Sequence, residues 1–505
     1  MRGRVTLCTV LVAVLGACLG PTLPVVVSPP TTQSISFVAI DARTGAPVAG
    51  ATVRYQYQDG VIGAQQTDTQ GRTTYSIPSG VRDSHVWVVA EGYQLLSQHV
   101  DAAPHAVIVL HLASDLPPPP VRRGSLRIVG GGFADDTGPT LPVFCHFGDA
   151  FAAYVRTPEA VLAQLDVIVR AGYRGIRFWT VLGGEYWTSK GREVGPDITT
   201  DYWAQLHAFL AACHAHGLQN VISQGDVGRI PDRVAFMRRL AETVTAVGPD
   251  VAAIVDAGNE AWQTGDPDPW KLAEMVAAFR TVCPQPLLTL TSPQYGWATK
   301  EEARADFNQY SIPPADLYDV HGYRGGDGRD KPAWPAKVRH IFSLAYEVKP
   351  RLRLGVQSEP TGPGELVSVT ENQHELDDHV LAAMAVVSLM ARQAWVYMSG
   401  HGVSWQGPLE QQPGFWAVPQ AVALLPLDLT AWPTLVHGGQ LWAGTRVFAA
   451  HGETRADQAL SADGRFVALI YGPDPVGGEL PERPCEVTLD RALGPSVRLV
   501  AGYLR

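Results

Sequence analysis

Runs of like charge are missing from this chain. The longest stretches of Lys or Arg are the dipeptides Arg122-Arg123 and Arg238-Arg239, and 39 Lys+Arg against 49 Asp+Glu give a net charge of -10. A basic stripe able to neutralise phosphates is therefore absent, which excludes nucleic acid as a partner and leaves an uncharged or weakly charged one. Cysteine is scarce too, at 6 in 505 residues; Cys145, Cys213, Cys283 and Cys485 stand too far apart for a zinc ribbon or a Cys-x-x-Cys redox pair. They read as core thiols or as one or two disulfides, and spacing does not choose. After His374-Glu375 the next His is 379, five positions on instead of four. That turns it off the shared helix face and excludes the zinc-protease pattern. His214 and His216, two apart in "CHAHG", read as a helix end completed by Gly217. No metal and no cofactor is expected.

What is present is a folded, loop-rich chain: 46% hydrophobic and 17% charged residues, with 50 Gly and 39 Pro. At 505 residues it exceeds one ordinary core, and roughly 100 to 200 residues per domain suggests about three domains. The N-terminal "MRGRVTLCTVLVAVLGACLG" places two Arg before about eleven mostly apolar residues and then Leu15-Gly16-Ala17-Cys18. This is an export signal, too short to span a bilayer as a mature helix. Its end resembles the lipobox of bacterial lipoproteins, and the resemblance implies that Cys18 becomes a lipidated N-terminus; an ordinary signal cleaved after Ala17 is the alternative. The expected location is the cell envelope or the extracellular space, with the membrane engaged only through that anchor.

Composition then divides the chain. Residues 1–18 are the signal and lipobox, and 19–33 form a Pro- and Thr-rich tether. Residues 34–113 carry short alternating runs such as "SISFVAI", "ATVRYQY", "HVWVVA" and "AVIVLHL" between turn formers, the pattern of a small antiparallel β-sandwich. The stretches "DARTGAPVAGATV", "TDTQGRTTY" and "AEGYQ" resemble carboxypeptidase-regulatory-like modules, which implies a seven-stranded sandwich of structural or spacing role and no catalytic residue. Residues 114–124, with "DLPPPPVRRG", are a stiff Pro-rich linker. Across 125–425, apolar strands ("LPVFCHF", "GIRFWTVL", "QNVISQG", "VAAIVDAG", "PLLTLTS", "LYDVHGY", "LRLGVQSE", "WVYMSG") alternate with amphipathic helices at 158–171, 201–216, 232–246, 269–282, 336–348 and 373–392. Eight strands with intervening helices suggest a (β/α)8 barrel. An open doubly wound sheet would want a Gly-rich phosphate loop after its first strand, and none is there. Residues 426–505 return to short strands and form a C-terminal β-domain packed on the barrel.

A barrel places functional groups where its strands end. By that rule Arg177, Asn259, Glu260, His321, Tyr323, Glu359 and Trp405 collect at one mouth. Opposed carboxylates such as Glu260 and Glu359 suit glycosidic-bond cleavage: one must arrive protonated, the other ionised, and the negative charge of Glu359 would raise the pKa of Glu260 and keep its proton on. Two strand-end residues making structural salt bridges are the plainer alternative. Trp179, Tyr186, Trp187, Trp262, Tyr295 and Trp297 lie on or beside the loops and suit the apolar faces of sugars. For any one of them core packing is the alternative; Trp187 and Trp262 are the preferred substrate contacts.

Gly258-Asn259-Glu260 ending strand 4, Gln357-Ser358-Glu359-Pro360 ending strand 7, His321-Gly322-Tyr323, Arg177 in "GIRFW" and the late Trp405 together resemble the clan A glycoside hydrolases, cellulase and mannanase in type (glycoside hydrolase family 5). The resemblance covers 125–425 and implies a retaining double displacement with Glu260 as general acid/base and Glu359 as nucleophile. Asn259 would then bond the sugar 2-hydroxyl, Tyr323 would hold the nucleophile and Arg177 would keep it ionised. His321 would contact the acid/base or substrate, and Trp405 would floor the central subsite. Two departures stand out: Trp262 two places after Glu260, and "SQGDVG" from Ser223 where a His often follows strand 3. His146 and Asp149 in "CHFGDAF" have no assigned role. These keep a second expectation in play, a carbohydrate-binding or adhesin-like surface protein without turnover. The sugar, the linkage, endo or exo action, transfer versus hydrolysis and the oligomeric state are open.

Overall fold

The structure is a computed structural model. It describes residues 32–41, 45–57, 60–79, 83–93, 96–101, 106–112, 124–264, 267–293, 299–321, 352, 354–359, 378–398, 405, 407–412, 414–437, 440–441, 455–471, 485–494 and 497–504. The export signal with Cys18, the tether, most of the Pro-rich linker, Tyr323, Tyr295, Trp297 and the helix expected at 336–348 lie outside the described residues.

One-sided alternation builds the first unit. Buried residues recur at every second position along β1 (Thr32–Asp41) and β4 (Arg72–Pro78), as they do where one face of a sheet is wet. With β2 (Thr52–Tyr57), β3 (Gly60–Gln66), β5 (Asp83–Val89), β6 (Leu96–Asp101) and β7 (Val107–Leu112) they form two sheets, ordered β4-β1-β7 and β3-β2-β5-β6. Between them Phe37, Tyr55 and Tyr75 pack ring against ring at 5.4 to 5.9 Å. The expectation of a wholly antiparallel sandwich holds at every pair but one. β7 returns to the first sheet only after the chain has crossed into β5 and β6, and it lies parallel to β1.

The central region is the eight-stranded parallel barrel. Its strands are β11 (Val143–His146), β12 (Gly175–Trp179), β13 (Asn220–Ser223), β14 (Ala252–Asp256), β15 (Leu287–Thr289), β16 (Tyr318–His321), β17 (Gly355–Glu359) and β18 (Gln393–Tyr397). They lie in the order β15-β14-β13-β12-β11-β18-β17-β16. The ring closes where the backbone N–H groups of Asp316 and Leu317 donate to the Leu288 carbonyl at 2.9 and 3.2 Å. Every residue of these strands is buried, because helices cover the outside and side chains fill the inside; that is why they read as near-continuous apolar runs.

Around the strands stand α1 (Ala150–Tyr154), α2 (Pro158–Ala171), α3 (Glu185–Ser189), α4 (Tyr202–Ala215), α5 (Arg233–Val247), α6 (Ala261–Thr264), α7 (Pro269–Val282), α8 (Lys300–Gln309), α9 (Asp378–Met390) and α10 (Ala417–Val422). Local chemistry sets their ends. α2 opens on Pro158 and stops at Gly172, whose φ of 93° a side chain would resist. α5 is capped by Asp232, which accepts from the Ala235 N–H at 2.9 Å. A hairpin of β8 (Arg127–Val129), β9 (Gly132–Asp135) and β10 (Gly138–Pro139) plugs the lower end. There Leu126 and Phe133 pack with Phe144, Val221, Ile254 and Val356 of the barrel.

The C-terminal strands β19 (Thr434–His437), β20 (Gln440–Leu441), β21 (Arg455–Leu460), β22 (Arg465–Tyr471), β23 (Cys485–Gly494) and β24 (Val497–Leu504) make one antiparallel sheet, ordered β20-β19-β21-β22-β24-β23. One face contributes Val467, Leu469, Tyr471 and Leu499 to the same core as Val386 and Leu389 of α9. The N-terminal sandwich also rests on the barrel: Trp87 stacks on His379 of α9 at 5.5 Å, Glu91 pairs with Arg170 of α2 at 3.0 Å, and the Gln420 amide on α10 donates to the Tyr93 carbonyl at 2.6 Å. Cys145, Cys213, Cys283 and Cys485 are free thiols; burial pushes those of Cys145 and Cys213 well above the usual range. Among the described residues no helix is long and apolar enough to cross a membrane.

Candidate active site

The parity of β12 points Arg177 into the barrel, with Ile176 and Phe178 turned out among the helices. Its guanidinium is wholly buried and reaches in several directions. Nη1 donates to Glu359 Oε1 at 2.6 Å, Nη2 donates to Asn259 Oδ1, and Nη1 stands 3.5 Å from His146 Nδ1. Arginine has no acceptor, so this contact is a hydrogen bond only with Nδ1 unprotonated and the imidazole hydrogen on Nε2. The cation also lies 5.8 Å above the ring of Trp179, whose close approach requires Gly148: a Cβ there would collide with the indole.

Asn259 and Glu260 leave β14 on a tightly held turn. The Gly258 N–H donates to Leu290 O, the Asn259 N–H to Gln224 O at 2.8 Å and the Ala261 N–H to Thr291 Oγ1 at 3.0 Å, so both neighbouring strands grip it. A Cβ on Gly258 would come within 2.7 Å of Val227 Cγ2, so a larger residue at this position of "GNE" would have to push the buried Val227 aside. Glu260 itself has φ of 43°, in the left-handed region that a non-glycine residue avoids. Such strain costs about 1–3 kcal/mol and clusters at functional sites.

On the opposite wall a β-bulge sets the geometry: Val320 pairs with Gln357, but His321 pairs with Glu359, leaving Ser358 as the extra residue. The bulge brings both Ser358 and Glu359 inward. Ser358 donates to Asp319 Oδ1 at 2.6 Å. His321 Nδ1 is shared between Glu260 Oε1 at 2.9 Å and Glu359 Oε2 at 3.6 Å. One oxygen of each carboxylate and one imidazole nitrogen all lie within 4.8 Å of one another. Three such ligand atoms have the spacing a cation would accept, but the fixed charge of Arg177 already sits against Glu359.

Beneath this level lies a second pair of carboxylates, Asp256 and Asp319. Asp256 accepts from Ser223 Oγ at 2.9 Å and from the Gly258 N–H at 3.1 Å, and stands 4.0 Å from Arg177. Burial pushes it up to about 6 against the pull of Arg177. Asp319 is pushed up further, to about 7, by burial and then by the charge of Asp256. Its Oδ2 is 3.8 Å from His321 Nε2. Four carboxylates thus surround one guanidinium and one imidazole, and a low-dielectric interior favours protonating part of such a set over ionising all of it.

Of the site residues expected from sequence, Arg177, Asn259, Glu260, His321 and Glu359 join in this one network. Trp187, on α3, packs edge-on against Trp179 at 5.5 Å, one ring removed from Arg177. Trp262 is half-buried on α6 just after Glu260, and Trp405 is half-buried with its ring against Phe147 at 5.4 Å. Trp179 is core and Tyr186 is exposed. Asp256 and Asp319 were missed, although each shares the inward parity of the strand that carries it, Asp319 two places before His321.

No protein-family model matches the sequence, and no curated protein matches it. Among solved structures, a glycoside hydrolase family 5 protein from Bacteroides vulgatus is similar at 13% identity over 75% of this chain and 93% of its own, with a TM-score of 0.48. The exo-beta-1,4-mannosidase Op5Man5 from an Opitutaceae bacterium is similar at 15% over 61% of this chain and 63% of its own, TM-score 0.43. A beta-mannanase from Streptomyces thermolilacinus is similar at 18% over 58% and 88%, TM-score 0.37. At such identities the likeness concerns the fold, and the chemistry of the site stands on its own geometry.

Proposed function

We propose that the barrel is a retaining glycoside hydrolase acting on a neutral oligo- or polysaccharide. The observation that carries this is the 4.8 Å limit on the gap between carboxylate oxygens of Glu260 and Glu359. A separation of about 5 Å leaves no room for a water between acid and anomeric carbon, so the second carboxylate must itself attack; inverting enzymes need roughly 6.5–9.5 Å.

The environments divide the labour. Glu359 lies on the Arg177 cation and is the nucleophile. Its oxygen bonds the anomeric carbon as the glycosidic C–O bond breaks, and Glu260 gives its proton to the departing oxygen. Glu260 then takes a proton from water, the water oxygen attacks the same carbon, and the ester to Glu359 breaks. Asn259, held by Arg177, would meet the 2-hydroxyl of the sugar. Trp405, Trp187 and Trp262 would offer rings to its apolar faces. Export on the N-terminal segment, with Cys18 acylated, belongs to the same proposal. An unmodified mature N-terminus in intact-mass data would remove the anchor and leave the chemistry untouched.

The test is covalent trapping. A 2-deoxy-2-fluoro glycoside with a good leaving group should inactivate the enzyme, and peptide mapping should find the sugar on Glu359. A label on another residue, or inactivation without any adduct, contradicts the assignment.

A further inference from the structure

Asp149 takes no part in the proposed glycosidic chemistry, yet its carboxylate is completely buried. It stands at the N-cap of α1 and makes no side-chain bond to that helix, although an Asp there ordinarily caps its own turn. Its oxygens go elsewhere. Oδ1 and Oδ2 each accept from the backbone N–H of Trp405 at 3.1 Å, and Oδ2 meets Arg192 Nε at 3.2 Å. Arg192, in the loop after β12, donates in turn from Nη2 to the Trp405 carbonyl at 3.3 Å. Its own N–H donates to Trp187 O at 2.9 Å, tying the clamp to α3. One carboxylate and one guanidinium therefore hold a single residue by both its N–H and its C=O, across the loops that come after β11, β12 and β18.

We propose that Asp149 and Arg192 are positioning residues that fix Trp405, so that its indole, backed by Phe147, is held as the floor under the sugar at the cleavage point. This rests on the glycosidase proposal for the barrel mouth. The arrangement is costly to keep. Burial pushes Asp149 up to about 6 even against the Trp405 N–H and the Arg192 charge, and a buried carboxylate whose two oxygens both meet the Trp405 N–H points to a demand on where that ring lies. A lysine at 192 cannot reach both the carboxylate and the carbonyl, since it lacks the fork of donors.

A double-mutant cycle tests this. Asp149→Asn and Arg192→Met are each expected to lower kcat/KM about tenfold in the wild-type background and less than about twofold once Trp405→Ala has removed the ring to be placed. Equal losses in both backgrounds mean general structural damage and overturn the proposal. Should Asp149→Asn fail to fold, Arg192→Met, at a partly exposed position, carries the cycle alone. An arm independent of turnover uses 5-fluorotryptophan: the Trp405 resonance, assigned by its loss in Trp405→Phe, should be one sharp line in wild type and broadened or split in Arg192→Met. An unchanged line overturns the clamp. A wild type that cleaves no glycan on a panel sinks the glycosidase proposal instead, and the fluorine line still decides the clamp.

Discussion

Two pairs of carboxylates sit one above the other in this barrel, and they are treated differently. The upper pair, Glu260 and Glu359, stands at the strand ends, where one acid lies on a guanidinium and the other shares a proton position with His321. The lower pair, Asp256 and Asp319, faces the sealed interior, held by Ser223 and Ser358 hydroxyls and pushed up by burial. Under the proposed function, the same functional group is a reagent in the first setting and a proton holder in the second. Asymmetry of partners, more than the carboxyl itself, assigns the role.

Breaking the upper pair should cost most. Glu359→Gln is expected to lower kcat by about 10⁴-fold or more, the scale of losing a nucleophile, with normal folding by circular dichroism; residual activity within about tenfold of wild type would dismiss it as the attacking group. Glu260→Gln should cost about 10²–10⁴-fold on alkyl or sugar leaving groups and much less on the first step with an activated aryl glycoside, which needs no proton. A loss independent of leaving group would mean Glu260 is not the acid. Next comes the cation between the levels. Arg177→Lys should reduce kcat about 10²-fold, because a point charge cannot serve Glu359 and Asn259 together. A loss within about twofold would mean that the two-pronged guanidinium contact to Glu359 and Asn259 is not needed to place them.

The lower pair should show itself in stability instead of rate. Asp319 binds its proton more tightly folded than unfolded, so its contribution is fully favourable below about 4 and is lost as the pH rises toward about 7. Asp319→Asn removes that loss. Its Tm relative to wild type should therefore rise between pH 5 and pH 8, by roughly 1 kcal/mol or more in stability. A difference that is flat with pH would mean Asp319 is ionised throughout and the two levels are not distinct.

Much of this was legible in the sequence because parallel barrel strands are simple to read. Each is a short apolar run, and the residues just beyond its end stand at the mouth. Helices 158–171 and 269–282 were placed to the residue by Pro at the start and by a clear end signal. Arg177, Asn259, Glu260, His321 and Glu359 stood out as polar residues inside or ending such runs. Other features left weaker traces. The plug at 126–139 is too short to show a period, and the parallel β1/β7 pair depends on how sheets are crossed, which local pattern does not encode. Asp256 and Asp319 sit inside the runs "VAAIVDAG" and "LYDVHGY", and neither run shows that the two meet beside Arg177. The clamp on Trp405 joins residues 256 apart in the chain, a contact no spacing rule reaches.

The separation of Glu260 and Glu359 is best tested by following the reaction with proton NMR as a cleaved glycoside releases its first product. The close pair requires that the new reducing end appear with the anomeric configuration of the substrate before mutarotation sets in. Initial release of the opposite anomer would place a water between the two acids and contradict the double displacement.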